Sequence, residues 1–183
     1  MTLSTKPSIV FLTWLILNYQ AIFFSDGKGG ELTVDRELRE LALTYLHQHQ
    51  VMTLATVGVE GPWAAAVFYV NKEFVFYFLS AGHTRHSQNI IENSRVAAAI
   101  QEDYKDWPSI KGVQLEGIVN QIQGAERQRA ISLYEEKYPF IKNATSQIRL
   151  GLARVNWYRL LTSRLYFIDN SKGLGHRDEI SLA

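Results

Sequence analysis

The 183 residues contain no cysteine. That excludes disulfides, thiolate nucleophiles and cysteine-ligated metals, and leaves the compartment unassigned. Net charge is nearly absent too: 19 basic against 18 acidic side chains leave +1. No global field favours nucleic acid or an anionic membrane. There is no internal repeat, no low-complexity tract and no glycine-rich phosphate loop. Nor is there a membrane-length apolar run. Ile9 to Phe24 is apolar but interrupted by Asn18 and Gln20, and its 16 residues fall short of the roughly 20 that span a bilayer as a helix. Three readings of this segment stand: an extension or misplaced start, an export signal or anchor, or a packed helix. Membrane contact is expected only if it is a true anchor; otherwise the expected location is cytoplasmic. Ser25 to Gly30 reads as a linker, so residues 1–30 are set apart from a domain over 31–183.

What is present suits one well-packed domain, with 46% hydrophobic and 12% aromatic residues. Thr33 to Gln50 carries apolar residues at helical spacing, with Thr33 as a cap. Three strands with short connections follow, at 51–57, 63–70 and 74–80. Ala64, Ala65 and Ala66 sit mid-strand, where branched or aromatic residues are usual, and leave room on a sheet face. A short helix over 84–93, a strand from Arg95, a loop to Lys111 and another strand come next, with Gly117 as a bulge or close approach. A helix stops before Pro139, a second short helix follows, and "NWYRLLT" and "RLYFIDN" read as two closing strands. Trp107 reads as a loop residue packed on the barrel. Six or seven mostly antiparallel strands with flanking helices imply a mainly β fold, a small barrel.

The chemistry concentrates where the third strand meets the helix, in "FYFLSAGHTRHSQNIIENS". A helix start offers unpaired N–H groups and the positive end of its dipole, which together suit an anion. Thr84 stands at the N-cap, Arg85 offers a planar fork matched to phosphate, and His86 adds a donor. The plainer reading keeps Thr84 as a cap and the other two as solvated surface. His83 and His86 are three apart but lack a third ligand, so no metal is assigned.

"TLATVGVEGPWAAAVFYV", "FYFLS…TRHSQNIIENSRVAAAI" and "KGVQLEGIV" resemble the pyridoxamine 5′-phosphate oxidase-like split-barrel flavoproteins, most closely their YhbP-like branch. The resemblance runs from about Leu38 to Ile180. It implies an antiparallel split barrel that dimerises with itself and binds FMN between subunits. By that likeness, Ala64, Ala65, Ala66 and Val67 lie along the flavin ring, and Ser80 supplies the hydroxyl ending the third strand. Thr84-Arg85-His86 stands where the family has a phosphate-binding Ser-Arg-Lys. Lys111 and Gln114 match polar residues reaching the cofactor from the partner chain, and Arg177 matches an FMN-binding arginine. Where the oxidases use an arginine and a histidine for the vitamin phosphate, this chain has Gly173 and Gly175, so pyridoxine 5′-phosphate oxidation is not expected. The reading is an FMN-dependent oxidoreductase of unassigned substrate. Two alternatives stand beside it: a haem-binding split barrel using His83, His86 or His176, and a non-catalytic dimeric ligand-binding module.

Overall fold

The computed structural model describes residues 27–143 and 145–182. The apolar segment Ile9 to Phe24 lies outside them. The chain divides into two compact units, 1–37 and 38–183. The first is described only as the beginning of helix α1, Gly27–Gln48. This helix starts six residues before the expected cap, so Thr33 lies inside it. Among the described residues no helix is long and apolar enough to cross a membrane.

The second unit is an antiparallel barrel. Strands β1 (Val51–Gly58), β2 (Gly61–Lys72) and β3 (Val75–Ser80) form a meander. Helix α2 (Arg85–Glu92) leads to β4 (Arg95–Gln101), which pairs back on β1, and then to β5 (Lys111–Ile122). Helices α3 (Gly124–Lys137), α4 (Pro139–Lys142) and α5 (Ser146–Arg154) precede β6 (Asn156–Asp169). β6 pairs with β5 along its length and with β3 at its start, closing six strands. The short β7 (Arg177–Glu179) adds to the far end of β6.

Alternation builds the core. On β1, Met52, Leu54 and Thr56 point inward while Val51, Thr53, Ala55 and Val57 stay exposed. The inward set meets Tyr69, Phe76, Phe78, Leu160 and Phe167 inside the barrel. A second cluster lies outside it, where Ala130, Tyr134 and Tyr138 pack on Val70, Tyr77 and Trp157. Steps of four residues, from Ala130 to Tyr134 to Tyr138, align these members on one face.

Two expectations need correction. The two closing strands are one. The polar Thr162-Ser163 step that reads as a break is a bulge: Glu116 faces Arg164 and Gly117 faces Thr162, leaving Ser163 as the extra residue. Thr162 Oγ1 donates to the Phe74 carbonyl at 2.6 Å, which keeps the hydroxyl satisfied where it is buried. Gly117 permits this, because a Cβ there would overlap the Leu161 carbonyl. Trp107 is not packed on the barrel; it is 74% exposed.

Candidate functional site

β3 ends at Ser80, and Thr84 takes the N-cap position of α2 with an extended backbone (φ −70°, ψ 148°). Its hydroxyl does not cap the helix. It donates instead to the Ala81 carbonyl at 2.9 Å. Thr84 Oγ1 also lies 2.9 Å from Ser87 Oγ, 3.1 Å from Ser80 Oγ and 3.2 Å from His86 Nε2. A hydroxyl has one proton, so with that proton on the carbonyl the oxygen can only accept from these neighbours. The shortest contact of the group joins Ser80 Oγ to His86 Nε2, at 2.6 Å. Among the described residues, His86 Nδ1 has no partner. His86 is buried, and burial lowers its pKa, so it joins the cluster as a neutral imidazole and not as an added positive charge.

Arg85 turns away from this cluster. Its Nη2 donates to the Glu60 carbonyl at 3.0 Å, and its guanidinium carbon stands 4.6 Å over the Trp63 ring. Its Nε lies 3.5 Å from Glu60 Oε2 but is buried without a hydrogen-bond acceptor. The helix itself is held by Asn89, whose Nδ2 donates to Thr56 Oγ1 on β1 at 3.0 Å, both residues being buried. Gly58 makes room for that contact, since a Cβ there would fall inside the Asn89 side chain.

Beside the junction is a cavity of about 380 Å³. One wall is Ala66, Val67, Phe68, Leu79, Ser80 and His86, from β2, the end of β3 and α2. The other is Tyr134, Tyr138, Phe140, Ile141, Ile148 and Leu152, from α3, α4 and α5. The tyrosine hydroxyls are spent on the backbone: Tyr134 donates to the Phe68 carbonyl at 2.7 Å and Tyr138 to that of Tyr69 at 2.5 Å.

Of the residues expected at the site, Ala66, Val67, Ser80 and His86 share this cavity, with Thr84 and Arg85 alongside in the chain. Ala64 and Ala65 lie further along β2 and do not line it. Lys111, Gln114 and Arg177 do not line it either. Gln114 is on the exposed outer sheet face, opposite Ala99 and Tyr166. Lys111 Nζ stands 3.9 Å from Asp169 Oδ2. Burial works against the Asp169 carboxylate, but bonds from Ser171 and the charges of Lys111 and Lys172 outweigh it and hold its pKa low. Arg177 opens β7 and is exposed. His83 is exposed, and His176 Nε2 lies 3.0 Å from Asp178 Oδ1. Among the described residues no three or more His, Asp or Glu side chains gather as a metal cluster.

The sequence reading missed the helical wall altogether. Its signal was Tyr134 in the otherwise charged α3, Tyr138 at the junction after it and Phe140 in α4.

A six-stranded antiparallel barrel with an added strand, helices between β5 and β6, and a hydroxyl–imidazole cluster after β3 define a split-barrel protein. The Pyridoxamine 5′-phosphate oxidase family profile matches residues 38–168, and the chain belongs to that family. It is 28% identical over 135 residues to a UPF0306 protein of Photorhabdus laumondii, covering 73% of this chain and 88% of that one. Among solved structures it is similar to a heme binding protein from Mycobacterium smegmatis, with a TM-score of 0.60 at 21% identity, over 76% of this chain and 57% of that one. It is also similar to a FAD-binding protein from Mesorhizobium loti, with a TM-score of 0.53 at 16% identity, over 69% and 90%. At these identities the structural likenesses speak for the fold alone.

Proposed function

We propose that this chain is an FMN-binding flavoprotein that acts as an oxidoreductase and works as a homodimer. The observation that carries this reading is Arg85 Nε, a buried donor with no hydrogen-bond acceptor and only Glu60 Oε2 at 3.5 Å facing it. Turned from Glu60 back toward the first turn of α2, the guanidinium would meet a phosphate oxygen, with the α2 N–H groups as further donors. The cavity fits a ring: about 380 Å³ is within the usual range for a small-molecule site. Small side chains at Ala66 and Val67 leave its β2 wall open.

In this reading Ala66 and Val67 border the ring, with Ala64 and Ala65 leaving space along the same strand. Ser80 and His86 offer polar contacts, and Thr84 and Arg85 hold the phosphate. Lys111 and Gln114 come from the partner chain, and Arg177 adds a cation. Bound FMN would supply one- or two-electron transfer. The residues of the chain bind and orient it, and the apolar helical wall excludes water. The neutral Ser80–His86 pair can hold a proton at Nε2 or on the hydroxyl.

Support for a dimer comes from the outer sheet face. Thr53, Ala55, Ala64, Ala66 and Ala97 are all exposed across β1, β2 and β4, next to exposed Val51 and Val57. A surface of such small, weakly polar side chains suits a two-fold contact in which one patch meets itself.

An absorption spectrum of the purified protein, with added FMN if it is colourless, tests the function. A bound-flavin spectrum is expected. A Soret band would favour haem instead. A colourless protein that rejects FMN would favour a non-catalytic module.

A further inference from the structure

We infer that the substrate of this site is an uncharged, ring-bearing molecule with a carbonyl or hydroxyl group, and that the wall formed by α4 and α5 selects it. The inference rests on the flavoprotein reading, because it assigns the β2 wall to the cofactor and the helical wall to the substrate.

The lining carries it. Among the described residues, no lysine, arginine, aspartate or glutamate lines this cavity. Other cavities of the molecule differ: Arg95 and Glu116 line one, Arg127, Glu135 and Lys142 another. Tyrosines often supply polar contacts, but here both hydroxyls already donate to carbonyls, so Tyr134 and Tyr138 present their rings. The apolar surface continues to the mouth, where Phe68, Phe140 and Ile148 are about half exposed and Leu150 is exposed nearby.

The polar exception is the Ser80–His86 pair. Its proton count leaves one free function. If Ser80 donates to Nε2, the neutral ring carries its proton on Nδ1, which lacks an acceptor. If Nε2–H donates to Ser80, Nδ1 is a bare acceptor. Either tautomer can meet one carbonyl or hydroxyl of a ligand. A phosphate or sulfonate on the same ligand would be buried against hydrocarbon, without a counter-charge. The described lining therefore disfavours phosphorylated substrates, independently of the glycines near the C-terminus.

The test uses the full chain with FMN bound. It titrates 1,4-naphthoquinone and, separately, 1,4-naphthoquinone-2-sulfonate, reading calorimetric heat and quenching of flavin fluorescence. The neutral quinone is expected to bind at least about 10-fold more tightly. Ile148→Asp, or Phe140→Asp as the second variant, is expected to weaken the neutral quinone about 10-fold and to leave the FMN dissociation constant within about twofold. Equal or tighter binding of the sulfonate, no quinone binding, or no effect of either variant overturns the inference. So does an equal loss of FMN affinity, which would give the helical wall to the cofactor. If the protein takes up no FMN, the flavoprotein reading fails, and the same two titrations on the cofactor-free protein still decide the inference.

Discussion

The ammonium of Lys137, near the end of α3, donates to the carbonyl of His49 at 2.7 Å and so ties the third helix to the C-terminal end of α1. The Leu46 carbonyl receives the same ammonium at 3.3 Å, and the Tyr69 ring lies 4.2 Å from it. Lysine here supplies what the end of a helix lacks, a donor and a positive charge.

Burial lowers the Lys137 pKa to about 8. The folded chain therefore holds this proton less tightly than the unfolded one. The cost is present in full below pH 8 and fades as the pH rises toward the ordinary lysine value. Relative to Lys137→Met, the protein should gain stability between pH 8 and 10, with a slope of at most about 1.4 kcal/mol per pH unit. Urea midpoints at pH 7.5, 8.5 and 9.5 measure it. Parallel curves for the two proteins would refute the assignment. Above pH 10 the buried tyrosines act the other way, since burial raises the pKa of Tyr69 and Tyr134 and the unfolded chain ionises first.

His86 gives the acid-side counterpart. Its folded pKa is depressed, so stability is complete above the unfolded histidine value of about 6.5 and is lost as the pH falls below it. His86→Gln should flatten the pH dependence of unfolding between pH 6.5 and 5. The His86 ring resonances, followed by NMR, should titrate below the ordinary histidine value. A normal titration for all five histidines would contradict it.

Arg85→Ala should weaken FMN about 10- to 150-fold, the worth of a hydrogen bond to a charged group, and riboflavin much less. Glu60→Gln should act oppositely and weakly, tightening FMN by no more than a few-fold, because Glu60 is largely exposed and competes for the guanidinium through a screened ion pair. Fluorescence titrations with both flavins check the pair. Equal losses for FMN and riboflavin would place the phosphate elsewhere.

Pyridoxine 5′-phosphate should not be oxidised by the FMN-loaded protein over many turnovers. Gly173 (φ 147°) and Gly175 (φ 75°) adopt backbone angles that favour glycine. Gly175 N–H donates to Asn170 Oδ1 at 3.0 Å and His176 N–H to the Gly173 carbonyl at 3.0 Å, closing a tight turn. Steady formation of pyridoxal 5′-phosphate would refute this. Gly173→Arg with Gly175→His should lower the melting temperature and not confer the activity.

Gly117→Ala should destabilise the barrel by about 1–3 kcal/mol through forced overlap with the Leu161 carbonyl. Gly151→Ala is the contrasting case: it lies within α5 with open space where a Cβ would go, and should gain about 0.5–1 kcal/mol. Thermal melts of the two variants should move in opposite directions.

Most of the barrel was legible because its signals are local. Alternation marks β1, short turns mark the meander, and the Glu116-Gly117 step announced a close approach. Thr162 and Ser163 misled for a related reason: a polar pair ends a strand in most sequences, and only the partner strand reveals a bulge. The site was half legible. Ser80, Thr84 and His86 come together because four to six residues of turn join them. Arg85 was expected beside them, yet side-chain direction depends on Glu60 and Trp63, about 25 positions earlier. The helical wall was missed because its apolar residues are spread over three short helices whose packing no single periodicity encodes.

The long strand β6 closes the barrel against β3 across about eighty residues of chain, from Val75↔Leu161 to Ser80↔Asn156. During synthesis, β1 to β5 therefore leave the ribosome as an open sheet. Both edge strands, β3 and β5, stay unpaired along the sides that β6 will fill until nearly the whole protein has been made. Closure is then a single late event, slow by its sequence separation. A nascent chain stalled anywhere between α3 and α5 presents two unpaired edges at once, the exposure that invites pairing with another chain.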